Sequence, residues 1–144
     1  MPRLLELFSG TGSVGRVFEA AGWEVISVDL EPHFEPTICC DARDIELDHW
    51  PPGHFDWVHA SPPCGQFSMA RSTAKTPRDL KTADELALHA LNLIRILRPR
   101  YFTIENPATG LLKTRSYMQG IPFRDFSYCM YSDWGYRKNT IFWI

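Results

Sequence analysis

Short apolar runs alternate along this chain with two stretches of helical periodicity, and polar breaks bearing glycine or proline separate them. Leu4-Leu5-Glu6-Leu7-Phe8 reads as a strand. Residues 14–21 follow as a helix with Val14, Val17, Phe18 and Ala21 on one face and Gly22 as its stop. Glu24-Val25-Ile26-Ser27-Val28-Asp29 is a second strand, residues 31–36 a loop, and Thr37-Ile38-Cys39-Cys40 a short third strand. An acidic segment ends in the loop signal Trp50-Pro51-Pro52-Gly53 before a fourth strand, Phe55 to Ala60. Residues 69–82 are polar and basic without apolar periodicity, which fits either a lid that closes on a substrate or an ordinary surface loop. The best helix is predicted over residues 83–98, opened by Asp84 and Glu85 and ended by Pro99. A strand Tyr101-Phe102-Thr103-Ile104, a short helix and loop over 109–120, and strands over 126–131 and 140–144 complete the pattern. Strands alternating with helices predict an α/β fold with a doubly wound, mostly parallel sheet.

Polar chemistry recurs where these strands end. Gly10, Gly12 and Gly15 have the spacing G-x-G-x-x-G between a strand and a helix. Glycines there permit a tight turn and close approach of a ligand at the positive end of the helix, although a purely structural turn has the same spacing. Asp29 closes the second strand about twenty residues on, where a carboxylate can accept both ribose hydroxyl protons. Asp41, after the third strand, either accepts from an adenine amine or caps the turn that follows. The fourth strand runs into Ser61-Pro62-Pro63-Cys64-Gly65-Gln66-Phe67-Ser68. Two prolines restrict the backbone and aim Cys64, which suits a nucleophile; a rigid turn with a half-buried thiol is the alternative. Glu105-Asn106-Pro107 follows the fifth strand, as catalytic carboxylate or as turn cap.

Composition narrows the field. A chain of 144 residues, 44% apolar, has the size of a single domain. No stretch has the length of a membrane span, and the start is too charged for a signal peptide, so the expected location is cytoplasmic. Cys39, Cys40, Cys64 and Cys129 form no Cys-x-x-Cys pair, which argues against zinc or a disulfide framework. The net charge of −2 hides an asymmetry: residues 1–60 carry 3 Lys/Arg against 11 Asp/Glu, and residues 61–144 carry 12 against 6. The basic half begins at the Pro-Pro-Cys loop, with Arg71, Lys75, Arg78 and Lys81 close behind it, and favours a polyanionic substrate over mere surface charge.

In their order and spacing, Leu7-Phe8-Ser9-Gly10-Thr11-Gly12, Asp29, the Pro-Pro-Cys octapeptide, Glu105-Asn106-Pro107 and Tyr136-Arg137-Lys138-Asn139-Thr140 resemble the motifs of the cytosine-5 DNA methyltransferases, especially short phage-type members. Amino-methylating enzymes of similar fold carry an aromatic residue after Pro-Pro. The resemblance implies a Rossmann-like methyltransferase fold that uses S-adenosyl-L-methionine and methylates carbon 5 of cytosine in DNA, or less readily in RNA. It implies Cys64 as nucleophile, Glu105 as acid, and Asn106 and Arg137 as supporting groups. The cofactor would have Phe8 against its adenine, Gly10 and Gly12 under its methionine part, Asp29 on its ribose and Asp41 near its adenine amine, with Pro63 and Leu86 completing a pocket that also takes in Ser9, Thr11, Ser13, Val14, Leu30 and Ala42.

The family usually has a glutamine and two arginines where this chain has Tyr136 to Thr140. It also continues into a target-recognition region beyond the point where this chain stops. One catalytic domain over residues 1–144 is therefore expected, without a target-recognition domain of its own. A protein partner or second subunit that supplies recognition is the companion expectation, and a cofactor-binding but non-catalytic subunit the alternative. A dinucleotide-dependent oxidoreductase would explain the glycines and Asp29 but neither Pro-Pro-Cys nor Glu-Asn.

Overall fold

The computed structural model of the chain describes residues 1–63, 79–127 and 139–144. Seven strands form one sheet: β1 (Arg3–Leu7), β2 (Glu24–Asp29), β3 (Ile38–Cys39), β4 (Trp57–Ala60), β5 (Tyr101–Pro107), β6 (Phe123–Ser127) and β7 (Asn139–Trp143). Their spatial order is β3-β2-β1-β4-β5-β7-β6. The first five are mutually parallel, and β7 runs antiparallel between β5 and β6. The doubly wound, mostly parallel sheet expected from the pattern is present. Connections from β1 step outward in both directions, so the order reverses between β1 and β4, the place where sheets of this kind open a crevice at their carboxyl ends.

Two helices cover opposite faces. Helix α1 (Ser13–Ala20) joins β1 to β2, and α2 (Leu80–Leu97) precedes β5. Right-handed crossovers to opposite sides of β1 require that division. Strand β1, flanked by β2 and β4, has no solvent-facing side: Leu4, Leu5 and Leu7 are fully buried. Helix α2 packs a single stripe of Ala83, Ala87, Ala90, Leu93 and Leu97. The stripe is small in the first half of the helix, Ala83 and Ala87, and larger toward its end, where each buried leucine contributes about 2 kcal/mol.

Several boundaries differ from the pattern. Helix α2 begins at Leu80, not at residue 83, because the Asp79 carboxylate accepts from the Thr82 amide and caps it. Asp84 and Glu85 thus lie in its second turn, where they pair with Arg115 and Arg43. Arg98, a non-glycine residue at φ 46°, closes the helix with its amide on the Ile94 carbonyl. In α1 the contact face is Val14, Gly15 and Phe18, and Val17 points to solvent at 69% exposure. Residues 105–107 do not follow β5 but belong to it, drawn into the strand by pairing with β7. Two 3₁₀ turns, Leu112–Thr114 and Ser116–Met118, replace the short helix, and β6 starts three residues earlier than expected. The expected strand residues 128–131, the segment Ser132 to Gly135 and most of the basic loop lie outside the described residues. Among the described residues no helix is long and apolar enough to cross a membrane.

Candidate active site

The site is built where β1, β2, β4 and β5 end. After β1, Phe8 turns the chain at φ 56°, and Gly10 and Gly12 follow at φ 51° and 72°. Two left-handed glycines so close together bend the loop back under itself, closed by the Gly12 amide on the Ser9 carbonyl at 2.9 Å. A Cβ placed on either glycine would meet nothing within 4 Å, so both backbones border open space. Gly15 differs: its amide donates to Glu6 Oε2 at 3.0 Å inside the helix–sheet contact.

Asp29 ties the loop to β2. Its Oδ2 accepts from the Gly10 amide at 2.7 Å and its Oδ1 from the Glu31 amide at 2.9 Å. Each oxygen retains a lone pair for a further donor. A recess of about 80 Å³ opens beside it, lined by Phe8, Val28, Asp29, Leu30, Cys40, Asp41, Ala42, Pro63 and Leu86. Seven residues expected around the cofactor, from five separate stretches of sequence, thus share one wall. Ser9, Gly10, Thr11 and Gly12 border a second, more polar recess of about 150 Å³ with Glu6 and Arg16. Ser13 and Val14 open α1 and line neither. Asp41 caps the turn Ala42–Asp44 by accepting from the Arg43 amide, and the Arg43 guanidinium holds its carboxyl below the usual range. The capping alternative for Asp41 is therefore realised, on a residue that also borders the recess.

At the neighbouring strand ends, Glu105 is half-buried in β5 opposite Phe142. Asn106 is buried, and its Nδ2 donates to the Pro62 carbonyl at 2.9 Å and to the Glu105 carbonyl at 3.2 Å. The amide therefore secures the proline loop and not the Glu105 carboxylate, because adjacent residues of a strand face opposite sides. Its Oδ1 has no partner among the described residues. Cys64 and Arg137 lie outside the described residues.

Two polar residues were not singled out by sequence reasoning. Glu6, 3% exposed, has its pKa pushed up to about 7 by burial, against the opposing hydrogen bond from Gly15. His59, equally buried, is pushed down to about 4 by burial and is neutral near pH 7. The signal for both was present: each is a lone polar side chain within an apolar strand, and the β1–β4 register sets them side by side. The basic residues divide differently from expectation. Arg95, Arg98 and Arg100 sit where α2 ends and β5 begins, at the sheet edge opposite the site, and Arg115 is neutralised by Asp84.

The C-5 cytosine-specific DNA methylase family matches residues 3–127. A protein named "Probable DNA (cytosine-5)-methyltransferase" of Frog virus 3 (isolate Goorha) is 37% identical over 158 aligned positions, which cover 98% of this chain and 69% of the viral protein. Type II methyltransferase M.AplI of Arthrospira platensis is 27% identical, over 82% of this chain and 35% of its own length. Among solved structures, a DNA modification methyltransferase encoded within an E. coli prophage superposes with a TM-score of 0.67 at 19% identity, covering 99% of this chain and 46% of that one. S. pombe Dnmt2 gives 0.62 at 16% identity, over 99% and 48%. At those identities the structural likeness establishes the fold, which is that of methyltransferases.

Proposed function

The chain belongs to the C-5 cytosine-specific DNA methylase family, and from that membership we propose that it transfers a methyl group from S-adenosyl-L-methionine to carbon 5 of cytosine in DNA. The observation that carries the reading is the Asn106–Pro62 hydrogen bond, which ties the strand end bearing Glu105 to the loop leading to Cys64. The site suits the cofactor: open space borders the Gly10 and Gly12 backbones, Asp29 keeps lone pairs for a diol, and Phe8, Leu30, Pro63 and Leu86 offer apolar surface to a purine. When bound, the cofactor supplies an electrophilic methyl group.

The chain's own residues supply the rest. Carbon 5 of cytosine is a poor nucleophile, so the Cys64 thiolate adds to carbon 6 while the Glu105 carboxyl gives its proton to ring nitrogen 3. The ring becomes enamine-like and attacks through carbon 5. Loss of the carbon-5 proton to solvent then expels the thiolate, and nitrogen 3 returns its proton to Glu105. Asn106 holds the proline loop against β5 throughout, and Arg137 is assigned a supporting role at the base. Within a duplex the target must leave the stack. We assign residues 1–144 to one catalytic unit acting in the cytoplasm. The chain spans 69% of the length of the Frog virus 3 protein and less than half of M.AplI and of the two structural neighbours described above.

Intact-protein mass after incubation with cofactor and DNA containing 5-fluorocytosine tests the reading, because fluorine at carbon 5 blocks release of the enzyme. A covalent adduct is expected, absent in Cys64→Ala, which should still bind the cofactor. Glu105→Gln should lower the rate by about 10²–10⁴-fold, the range for a lost general acid. Cofactor binding without an adduct in the unsubstituted chain would favour the non-catalytic subunit instead.

A further inference from the structure

His59 takes part in a linear hydrogen-bond chain that the proposed chemistry does not use. Its Nδ1 lies 2.7 Å from Thr103 Oγ1, and its Nε2 lies 3.0 Å from Ser61 Oγ. Trp57 Nε1 donates to the same threonine oxygen at 3.1 Å. Counting protons assigns the tautomer. The indole can only donate, so Thr103 accepts from it and gives its own proton to Nδ1. The imidazole then carries its hydrogen on Nε2 and donates to Ser61. The opposite tautomer would leave the Thr103 proton without an acceptor among the described hydrogen bonds.

The chain ends at an indole N–H, which cannot accept a proton, so it cannot relay one. A buried imidazole that stays neutral and exchanges no proton serves geometry. What it holds is the exit of β4. The Ser61 amide continues the β1 ladder onto the Leu7 carbonyl, and Ala60 pairs with Ile104, so one further step along the parallel register brings Ser61 alongside Glu105. On the other side of the sheet, Asn106 holds the very next residue by its carbonyl. Consecutive residues of the loop are thus fastened from both faces.

We propose that His59 is a positioning residue for the reaction: through Ser61 it fixes where Pro62 and Pro63, which precede Cys64 in the sequence, leave the sheet, in register with Glu105. The proposal rests on the methyl-transfer reading for its effect on turnover but not for its effect on the loop. Two measurements separate these. Alkylation of Cys64 by iodoacetamide, followed across pH by peptide mass so that the other cysteines are read apart, reports the loop without turnover. Methyl transfer and cofactor affinity report catalysis.

His59→Asn keeps a group at the Nδ1 position and loses the contact with Ser61; His59→Gln keeps a group at the Nε2 position. Ser61→Ala removes the receiver. His59→Asn and Ser61→Ala should each change the Cys64 alkylation profile severalfold and lower kcat by at least about tenfold, with cofactor Kd within about twofold. Their combination should do no more than either alone, and His59→Gln should recover most of the loss. Unchanged alkylation in both His59→Asn and Ser61→Ala would overturn the proposal, and so would a His59→Gln defect equal to that of His59→Asn. A chain that alkylates as expected across the variants but transfers no methyl group would sustain the positioning role and refute the methyl-transfer reading alone.

Discussion

At the scale of single residues, burial disfavours the charged form of two side chains in the strands that lead to the site, Glu6 and His59. Glu6 sits in β1 with one oxygen on the Gly15 amide, and burial raises its pKa from 4.5 to about 7. The folded chain therefore binds a proton that the unfolded chain releases between those values. Below pH 4.5 both states are protonated and the contribution to stability is complete; it declines as pH rises through about 7, by an amount of order 3 kcal/mol. Glu6→Gln, neutral throughout, should remove this part of the slope, so the stability difference between variant and parent, measured by urea unfolding, should grow from pH 4.5 to 7 and then level off. A flat difference would place the proton elsewhere. The place of Asp29 beside the glycine loop was legible in the sequence, because its distance to the glycines is that of a strand end next to the turn. Glu6 and His59 were passed over because one polar residue in an apolar run does not disturb the pattern that identifies a strand.

At the scale of elements, the glycine motif is two devices in one. Gly10 and Gly12 shape the loop, whereas Gly15 sets the distance between α1 and the sheet: a Cβ there would lie 2.5 Å from Glu6 Oε2 and 3.0 Å from Val25 Cγ1. Gly15→Ala should therefore cost about 1–3 kcal/mol, read as a lower urea midpoint with an unchanged slope. Strand β2 and the cores of β1, β4 and α2 were readable because each carries its own period or apolar run. The start of α2 was not, since Leu80 is preceded by polar residues and only the Asp79 cap marks the boundary. The extension of β5 through Pro107 was hidden for another reason: the strand is prolonged by a partner more than thirty residues away, β7, and no local signal contains that pairing. The Asn106–Pro62 contact is of the same kind, joining positions 44 apart.

At the scale of the whole molecule, the residues expected around one ligand come from the ends of separate strands, so ligand binding should be felt by the entire fold. Cofactor at about 100 times its Kd should add about 2.7 kcal/mol, a rise in Tm of roughly 5–10 °C, and Asp29→Ala should abolish most of that rise in a thermal-shift titration. The sequence suggested basic charge around the site, but spacing along the chain does not say which end of a helix a residue will occupy. Arg95, Arg98 and Arg100 are carried to the far edge by the length of α2. The sheet itself has one more consequence. Its outer strands are β3, only two residues long, and β6, which carries exposed Arg124 and Asp125 at its centre. Among the described residues neither margin offers a long, uncharged backbone on which a stray strand could grow, so these edges are poor templates for self-association.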